Sequence, residues 1–150
     1  MHLWLKKYIC ASVAIRNHIY AVEIETMENF PLKEETYQII GICMDVHNHL
    51  GAGFLEIVYK DALELEFRKA GIYYEREKEY IVNYKGIILP HKFYADFVVF
   101  DSIIIEVKGQ KGIADEHIAQ AINYLKVSQN KIALVVNFGE LKLKYKRLIL

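Results

Sequence analysis

Residues 93–109 read FYADFVVFDSIIIEVKG, and the expected fold is built around them. It consists of β-branched and aromatic residues, with one break at Phe100-Asp101-Ser102, and this pattern predicts two strands folded into a hairpin. Both halves are apolar at nearly every position, as is typical of strands covered on both faces in the middle of a sheet. The charged exceptions within the strands are Asp96 in the first strand, and Glu106 and Lys108 in the second.

The length of the hairpin loop decides whether these charges can share a site. Alternate side chains of a strand point the same way, so Glu106 and Lys108 lie on one face. A three-residue loop, residues 100–102, places Asp96 opposite Glu106 on that face. A two-residue loop, residues 101–102, would put the two carboxylates on different faces. The sequence leaves both loops open, and a shared site requires the longer one.

Two carboxylates and an ammonium group among valines and isoleucines are costly to bury unless they are paired or bound to a cation. One interpretation is a structural salt bridge of Lys108 with Glu106 or Asp96. The other is a divalent metal site. On these three residues alone, the salt bridge is the commoner arrangement.

The rest of the chain alternates between helical and strand-like patterns. Apolar residues at helical spacing predict a helix from Lys33 that stops at Gly51, and a second helix with Leu55 and Tyr59 among its buried residues. The full set of expected elements is helices at about 33–50, 54–69 and 114–128, a hairpin of 80–84 with 87–89, the central hairpin, a buried strand at 131–137 and a lysine-rich last strand. This order predicts an α/β fold, with a mixed β-sheet flanked by helices.

The chain is expected to form one domain preceded by a short extension. It has 150 residues, enough for one sizeable core. Residues 28–150 are expected to form this domain, because Met27 could begin a complete unit. Residues 1–27 are expected to be an N-terminal extension of uncertain structure, with a weakly patterned strand at 19–25.

Charge and cysteine usage restrict the possible partners and compartment. Nineteen basic and nineteen acidic residues give a net charge of zero, so no global field draws the protein to nucleic acid. Basic residues predominate from Lys85 onward. Cys10 and Cys43 lie in apolar surroundings and are expected to be core residues of a cytoplasmic protein. No stretch approaches the ~20 apolar residues of a membrane span.

The C-terminal sequence LKLKYKRLIL carries the densest group of basic residues. As a strand it would place Lys142, Lys144 and Lys146 on one side. An edge strand whose lysines prevent aggregation is the commoner interpretation of such a pattern. The alternative is that Lys142 and Lys144 contact a polyanion.

Further motifs join the central hairpin. Glu56 lies at the border of the second helix, and Gln120 and Tyr124 lie one turn apart on the third. With Asp96 and the Glu106-Val-Lys108 motif, this combination resembles the PD-(D/E)XK nuclease superfamily. More narrowly, the chain resembles the GxxExxY proteins, whose motif reads here Gly53-Phe-Leu-Glu56-Ile-Val-Tyr59. The similar blocks, spanning about 34–147, are VHNHLGAGFLEIVY, YKGIIL, IIIEVK, HIAQAINYLK and LVVNFG.

The resemblance implies a restriction-endonuclease-like core and a set of residue roles. Asp96, Glu106 and Glu56 would bind Mg²⁺ or Mn²⁺, and Lys108 would position or activate the attacking water. The resemblance also gives Gln120 and Tyr124 a place along the substrate path. Ala95 departs from the proline of the superfamily name, at a position that is loosely kept.

Phosphodiester chemistry fits these residues. Mg²⁺ prefers oxygen ligands, and an ammonium group can stabilise the charge that develops on the reacting phosphate. We therefore expect a Mg²⁺-dependent nuclease acting on DNA. The alternatives are a non-catalytic nuclease-fold module that binds nucleic acid or a protein partner, and a structural subunit whose central charges form only a buried ion network.

The remaining candidates have commoner structural roles. His47 and His49 flank Asn48 near a helix end, where hydrogen bonding to cap the helix is usual, and their spacing does not suit a helical zinc pair. His117 precedes Gln120 by one turn and could face the same cleft. Tyr59 is expected to pack in the core.

Overall fold

Residues 31–150 are described by the computed structural model of the chain, and within them lie three helices and five strands. The predicted extension 1–27, its strand at 19–25 and Cys10 lie outside the described residues. The elements are α1 (Lys33–Leu50), α2 (Glu56–Lys69), β1 (Tyr74–Tyr84), β2 (Ile87–Val99), β3 (Ile103–Lys108), α3 (Asp115–Ser128), β4 (Ile132–Asn137) and β5 (Lys144–Ile149).

The strands form one sheet in the order β1-β2-β3-β4-β5. All neighbouring pairs are antiparallel except β3 and β4, which are parallel and are joined through α3. A parallel pair needs such a crossover because the chain leaves the first strand at one end of the sheet and must enter the next strand at the opposite end. The predicted mixed α/β sheet flanked by helices is confirmed.

Both faces of the central strands are covered. Ile103, Ile105 and Val107 pack into a cluster with residues of α1 and α2, whereas Ile104 packs into a second cluster with residues of α3. Every residue of β4 is buried. This burial explains why the two strands are almost continuously apolar.

The hairpin between β2 and β3 has the three-residue loop. Val99 pairs with Ile103 and Phe97 with Ile105. Phe100 and Asp101 both take left-handed backbone conformations, which turn the chain within the loop. The register therefore continues toward Asp96 and Glu106 as opposite neighbours, as the longer loop requires.

The first hairpin is longer than its sequence suggests, and it shares β2 with the central hairpin. β2 runs without a break through Pro90, where the pairing with β1 is irregular between Ile81 and Asn83. Proline is tolerated at such positions because no regular ladder is interrupted. Charged cross-strand contacts, such as Lys92 Nζ to Glu79 Oε1 at 2.6 Å, accompany the part of β1 that lacks an apolar pattern.

Helix burial follows the sequence pattern at most of the predicted core positions. Tyr59 and Cys43 are fully buried, as predicted. Leu55 is 76% exposed, and its predicted burial is wrong because it precedes α2 in an extended conformation. None of the helices found between residues 31 and 150 is long and apolar enough to span a membrane.

β5 is the edge strand that the tail predicts, but it begins only at Lys144. Lys142 lies in the turn before it. The expected alternation of lysines along one strand therefore holds from Lys144 onward, and not for Lys142.

Candidate active site

The candidate site lies where β2 and β3 stop pairing. Beyond the pair Phe97 and Ile105, the Asp96 side chain replaces a backbone partner: its Oδ2 accepts a hydrogen bond of 2.7 Å from the Val107 N–H. A buried N–H group needs such an acceptor. The end of the ladder thus fixes one oxygen of Asp96 in place.

Glu106 lies beside Asp96 and is nearly inaccessible, with 3% of its side chain exposed. Its Oε1 lies 3.4 Å from the Asp96 nitrogen, and its Oε2 lies 3.8 Å from Lys108 Nζ. Burial, reinforced by the charge of Asp96, raises the pKa of Glu106 to about 8. The structure thus brings two carboxylates together in apolar surroundings.

Helix α3 contributes polar groups on the side of Lys108. Lys108 Nζ donates to Gln120 Oε1 at 3.2 Å. The Tyr124 hydroxyl donates to the Tyr94 carbonyl at 2.9 Å. Burial raises the pKa of Tyr124 to about 12, and the charge of Glu106 acts in the same direction. Gln120 and Tyr124 therefore lie next to the strand residues, one in direct contact with Lys108.

Glu56 is placed differently from the two strand carboxylates. It is the first residue of α2, and its Oε1 accepts a hydrogen bond of 3.2 Å from the Gly109 N–H. Across residues 31–150, no three His, Cys, Asp or Glu side chains are close enough together to hold a metal ion. The structure thus joins Asp96 to Glu106, while Glu56 is directed to the backbone after Lys108 and does not complete the expected trio.

Lys60 is not among the residues that the sequence predicts for the site, yet it contacts Asp96 directly. Its Nζ lies 2.8 Å from Asp96 Oδ1 and 2.6 Å from Glu77 Oε1. Burial by itself lowers the pKa of Lys60, but the two carboxylates outweigh it and raise the pKa above its usual value. The signal that could have found Lys60 is its position four residues after Glu56, on the same helix face.

The two lysines expected to bind nucleic acid lie toward the edge of the sheet. Lys144 pairs with Asn137, which in turn pairs with Lys108, so one row across three strands joins them. Two strand spacings separate the Lys144 and Lys108 backbones by about 10 Å. Lys142 is exposed in the turn before β5.

Asn137 holds the loop that follows Lys108, a role the sequence did not reveal. It is fully buried, donates to the Gln110 carbonyl at 2.7 Å and accepts from the Gln110 and Gly139 N–H groups at 3.2 and 3.1 Å. A Cβ atom on Gly139 would lie under 3.0 Å from backbone atoms of Gln110. The loop after β4 and the loop after β3 therefore fit together only with glycine at position 139.

The three histidines considered as candidates, His47, His49 and His117, make structural hydrogen bonds. His47 Nε2 lies 2.8 Å from the Glu140 carbonyl, and His49 Nδ1 lies 2.8 Å from the Asp45 carbonyl. His117 Nδ1 accepts from the Ala114 N–H at 3.1 Å, which caps α3.

Tyr59 packs in the core as predicted. Its ring stacks on Phe138 at 4.6 Å between centroids. Its hydroxyl donates to the Gly51 carbonyl at 2.7 Å and accepts from the Phe54 N–H at 3.2 Å. Tyr59 thereby fixes the segment that leads into Glu56.

Glu106 should make stability depend on pH. Glutamate in an unfolded chain has a pKa of ~4.3. Between that pH and about pH 8, Glu106 is therefore protonated in the folded state and ionised in the unfolded state. The free energy of unfolding should therefore fall as pH rises through this window and then level off. Glu106→Gln should remove this contribution and be more stable than wild type above pH 8, by roughly 1–3 kcal/mol.

Urea unfolding in EDTA at pH 5 to 9 measures this difference. Glu34→Gln is the matched control, because Glu34 is exposed near the start of α1 and its substitution should leave the pH profile unchanged. The same pH slope in Glu106→Gln as in wild type would contradict the expectation.

The family model of the PD-(D/E)XK nuclease superfamily matches residues 33–148. A search of curated proteins found no match. Among solved structures, the chain is similar to one described as the crystal structure of SSO0001, with a TM-score of 0.51 and 22% identity over 61% of this chain and 48% of that one.

A second similar structure is an alkaline exonuclease (LHK-Exo) from Laribacter hongkongensis, with a TM-score of 0.46 and 11% identity over 82% of this chain and 72% of that one. The chain spans about half the length of SSO0001, and a likeness at 22% identity concerns the fold alone. The superfamily match carries the assignment, because it runs from the start of α1 into β5 and includes both carboxylate-bearing strands. The chain therefore belongs to the PD-(D/E)XK nuclease superfamily.

Proposed function

We propose that this protein is a divalent-metal-dependent nuclease that hydrolyses phosphodiester bonds of DNA, and that it is one of the GxxExxY proteins. The observation that carries the proposal is that the Glu106 carboxylate lies 3.4 Å from the backbone nitrogen of Asp96, so two largely buried carboxylates occupy neighbouring positions with the Lys108 ammonium group beside Glu106. Membership of the nuclease superfamily supports the same chemistry.

The donor atoms suit Mg²⁺ or Mn²⁺. Carboxylate oxygens are the ligands that these hard cations prefer, and a buried carboxylate such as Glu106 gains most from a compensating charge. Asp96 and Glu106 would hold the cation. Glu56 would join them only if its carboxylate left the Gly109 N–H. When bound, the cation would supply positive charge that polarises the phosphate and acidifies water.

The remaining residues have roles that follow from their contacts. Lys108 is held by Gln120 and would stabilise negative charge that builds up on the phosphate oxygens. Tyr124 keeps its proton at neutral pH and can act only as a neutral donor or acceptor along the substrate path. Lys144 and Lys142 would contact DNA phosphates farther from the scissile bond, so the affinity for DNA should fall as the salt concentration rises.

A cleavage assay with purified protein tests the proposal. Labelled single- and double-stranded DNA and RNA are incubated with Mg²⁺ or Mn²⁺, and with EDTA. We expect DNA cleavage that requires the metal. Cleavage at the full wild-type rate in an Asp96→Asn/Glu106→Gln double variant purified in the same way would place the activity outside this site or in a contaminant, and would contradict the proposal. Wild-type protein that cuts nothing with either metal contradicts the proposal.

A non-catalytic module is the second candidate, and the ion pairs favour it. Both carboxylates already have a cationic neighbour: Lys60 lies 2.8 Å from Asp96, and Lys108 lies 3.8 Å from Glu106. Such a network can be purely structural. Salt-sensitive DNA binding without turnover would support this candidate, whereas metal-dependent turnover would exclude it.

A further inference from the structure

Helix α2 brings a second ammonium group to the candidate site. Lys60 lies one turn after Glu56, and only 14% of its side chain is exposed. Its Nζ is within hydrogen-bonding distance of Asp96 Oδ1. Lys108, by contrast, contacts Glu106 and Gln120. Each carboxylate of the pair thus has its own lysine.

Glu77 holds Lys60 from the other side. Its Oε1 accepts a hydrogen bond from Lys60 Nζ at 2.6 Å. Glu77 lies within β1, and its φ of 51° is in the left-handed region that is unfavourable for a residue other than glycine. Glu77, held in this unfavourable backbone conformation, therefore gives the Lys60 ammonium group a second carboxylate partner besides Asp96.

Both carboxylate oxygens of Asp96 accept hydrogen bonds. Oδ2 accepts from the Val107 N–H, and Oδ1 accepts from Lys60. Each carboxylate oxygen has a second lone pair, so a cation that binds either oxygen of Asp96 would lie within a few ångströms of the ammonium group on Oδ1. Because the two positive charges repel each other, Lys60 opposes cation binding for as long as it stays on Asp96.

We propose that Lys60 is a positioning residue that couples cation binding to substrate binding, because its ammonium group competes for Asp96 until a substrate phosphate draws it away. The inference rests on the proposed function. A lysine has a flexible four-carbon stem, so its charge can move between neighbouring anionic oxygens. Glu77 keeps the ammonium group close to the site when it leaves Asp96.

Mn²⁺ titration calorimetry of Lys60→Met tests the competition. Methionine has a similar length and no charge. In the absence of DNA, Lys60→Met should bind Mn²⁺ about tenfold more tightly than wild type, since the competing charge is gone. Lys69→Met is the matched control: it removes one charge from the same helix at an exposed ion pair with Glu66, and it should change the affinity less than about twofold.

Coupling is measured by repeating the titrations with a phosphorothioate DNA duplex that resists cleavage. DNA should raise the Mn²⁺ affinity of wild type at least about fivefold more than that of Lys60→Met. Only in wild type can a DNA phosphate draw the Lys60 ammonium group away from Asp96. Glu77→Gln should weaken Mn²⁺ binding in wild type, and it should do so much less in the Lys60→Met background.

The outcomes separate this inference from the proposed function. If wild type binds Mn²⁺ and cuts DNA but Lys60→Met binds Mn²⁺ equally or more weakly, the inference is overturned and the nuclease stands. Equal enhancement by DNA in both proteins overturns the coupling. If wild type does not bind Mn²⁺ with or without DNA, both proposals fall.

Discussion

Lys108→Met should leave the protein folded and slow Mg²⁺-dependent DNA cleavage by about 10²- to 10³-fold, the usual effect of removing a group that stabilises charge in the transition state. The ammonium group of Lys108 lies between Glu106 and Gln120, so it is held close to where a phosphate would meet the carboxylates. Methionine keeps most of the side-chain volume. Methionine also removes the cationic partner of the buried Glu106, so the free energy of unfolding should fall as well, and the rate is compared only where circular dichroism shows that the variant is folded.

Single-turnover cleavage with saturating protein measures this effect. Lys131→Met is the matched control, because Lys131 is exposed just before β4, near the end of the parallel strands that lies away from Lys108. It removes the same charge and should keep at least about half of the wild-type rate, as expected for an exposed lysine. A Lys108→Met protein as active as this control would exclude Lys108 from the chemistry.

Gly139→Ala should have the largest effect on stability. A Cβ atom at this position would lie under 3.0 Å from the backbone nitrogen, carbonyl carbon and oxygen of Gln110. Backbone atoms cannot rotate away as a side chain can, so the loop after Lys108 must shift. We expect a destabilisation of roughly 2–4 kcal/mol, toward the upper end of overpacking effects, together with weaker cleavage.

Gly41→Ala is the control for this substitution. Gly41 lies within α1, and a Cβ atom at this position would have no neighbour within 4 Å beyond the backbone of its own helix. Alanine is the better helix former, so Gly41→Ala should be neutral or stabilising by up to about 1 kcal/mol. Urea unfolding monitored by circular dichroism measures both variants. A Gly139→Ala protein as stable as wild type would show that the two loops are not tightly fitted.

The parts of the fold that the sequence predicts are those in which burial repeats with a regular period. The three helices and the strands β3 and β4 have a clear apolar pattern, because both faces of the central sheet are covered. The beginning of β1 has no such pattern, since charged residues line it, and its extent could not be predicted. The sequence did not determine the length of the loop between β2 and β3. A difference of one residue in that length moves every side chain of one strand to the opposite face of the sheet relative to the other strand.

The site was predicted less completely than the fold. The neighbouring positions of Asp96 and Glu106 follow from the strand register, which the longer loop sets. Lys60 contacts Asp96, which is 36 positions away in the sequence, and Asn137 contacts Gln110, which is 27 positions away. The helical spacing of Lys60 from Glu56 is the only local signal for the first contact, and the second has none. Glu56 lies next to Gly109 because of how α2 packs on the sheet, which the sequence does not specify.

If Asp96 and Glu106 together hold a divalent cation, Mn²⁺ titration calorimetry should detect its binding and its loss on substitution of either residue. We expect wild-type protein to bind one Mn²⁺ per chain, and Asp96→Asn and Glu106→Gln each to bind it at least about tenfold more weakly. Glu56→Gln, measured in parallel, shows whether Glu56 joins the ligand set. Absence of Mn²⁺ binding by wild type, or binding by both strand variants as tight as that of wild type, would contradict the account.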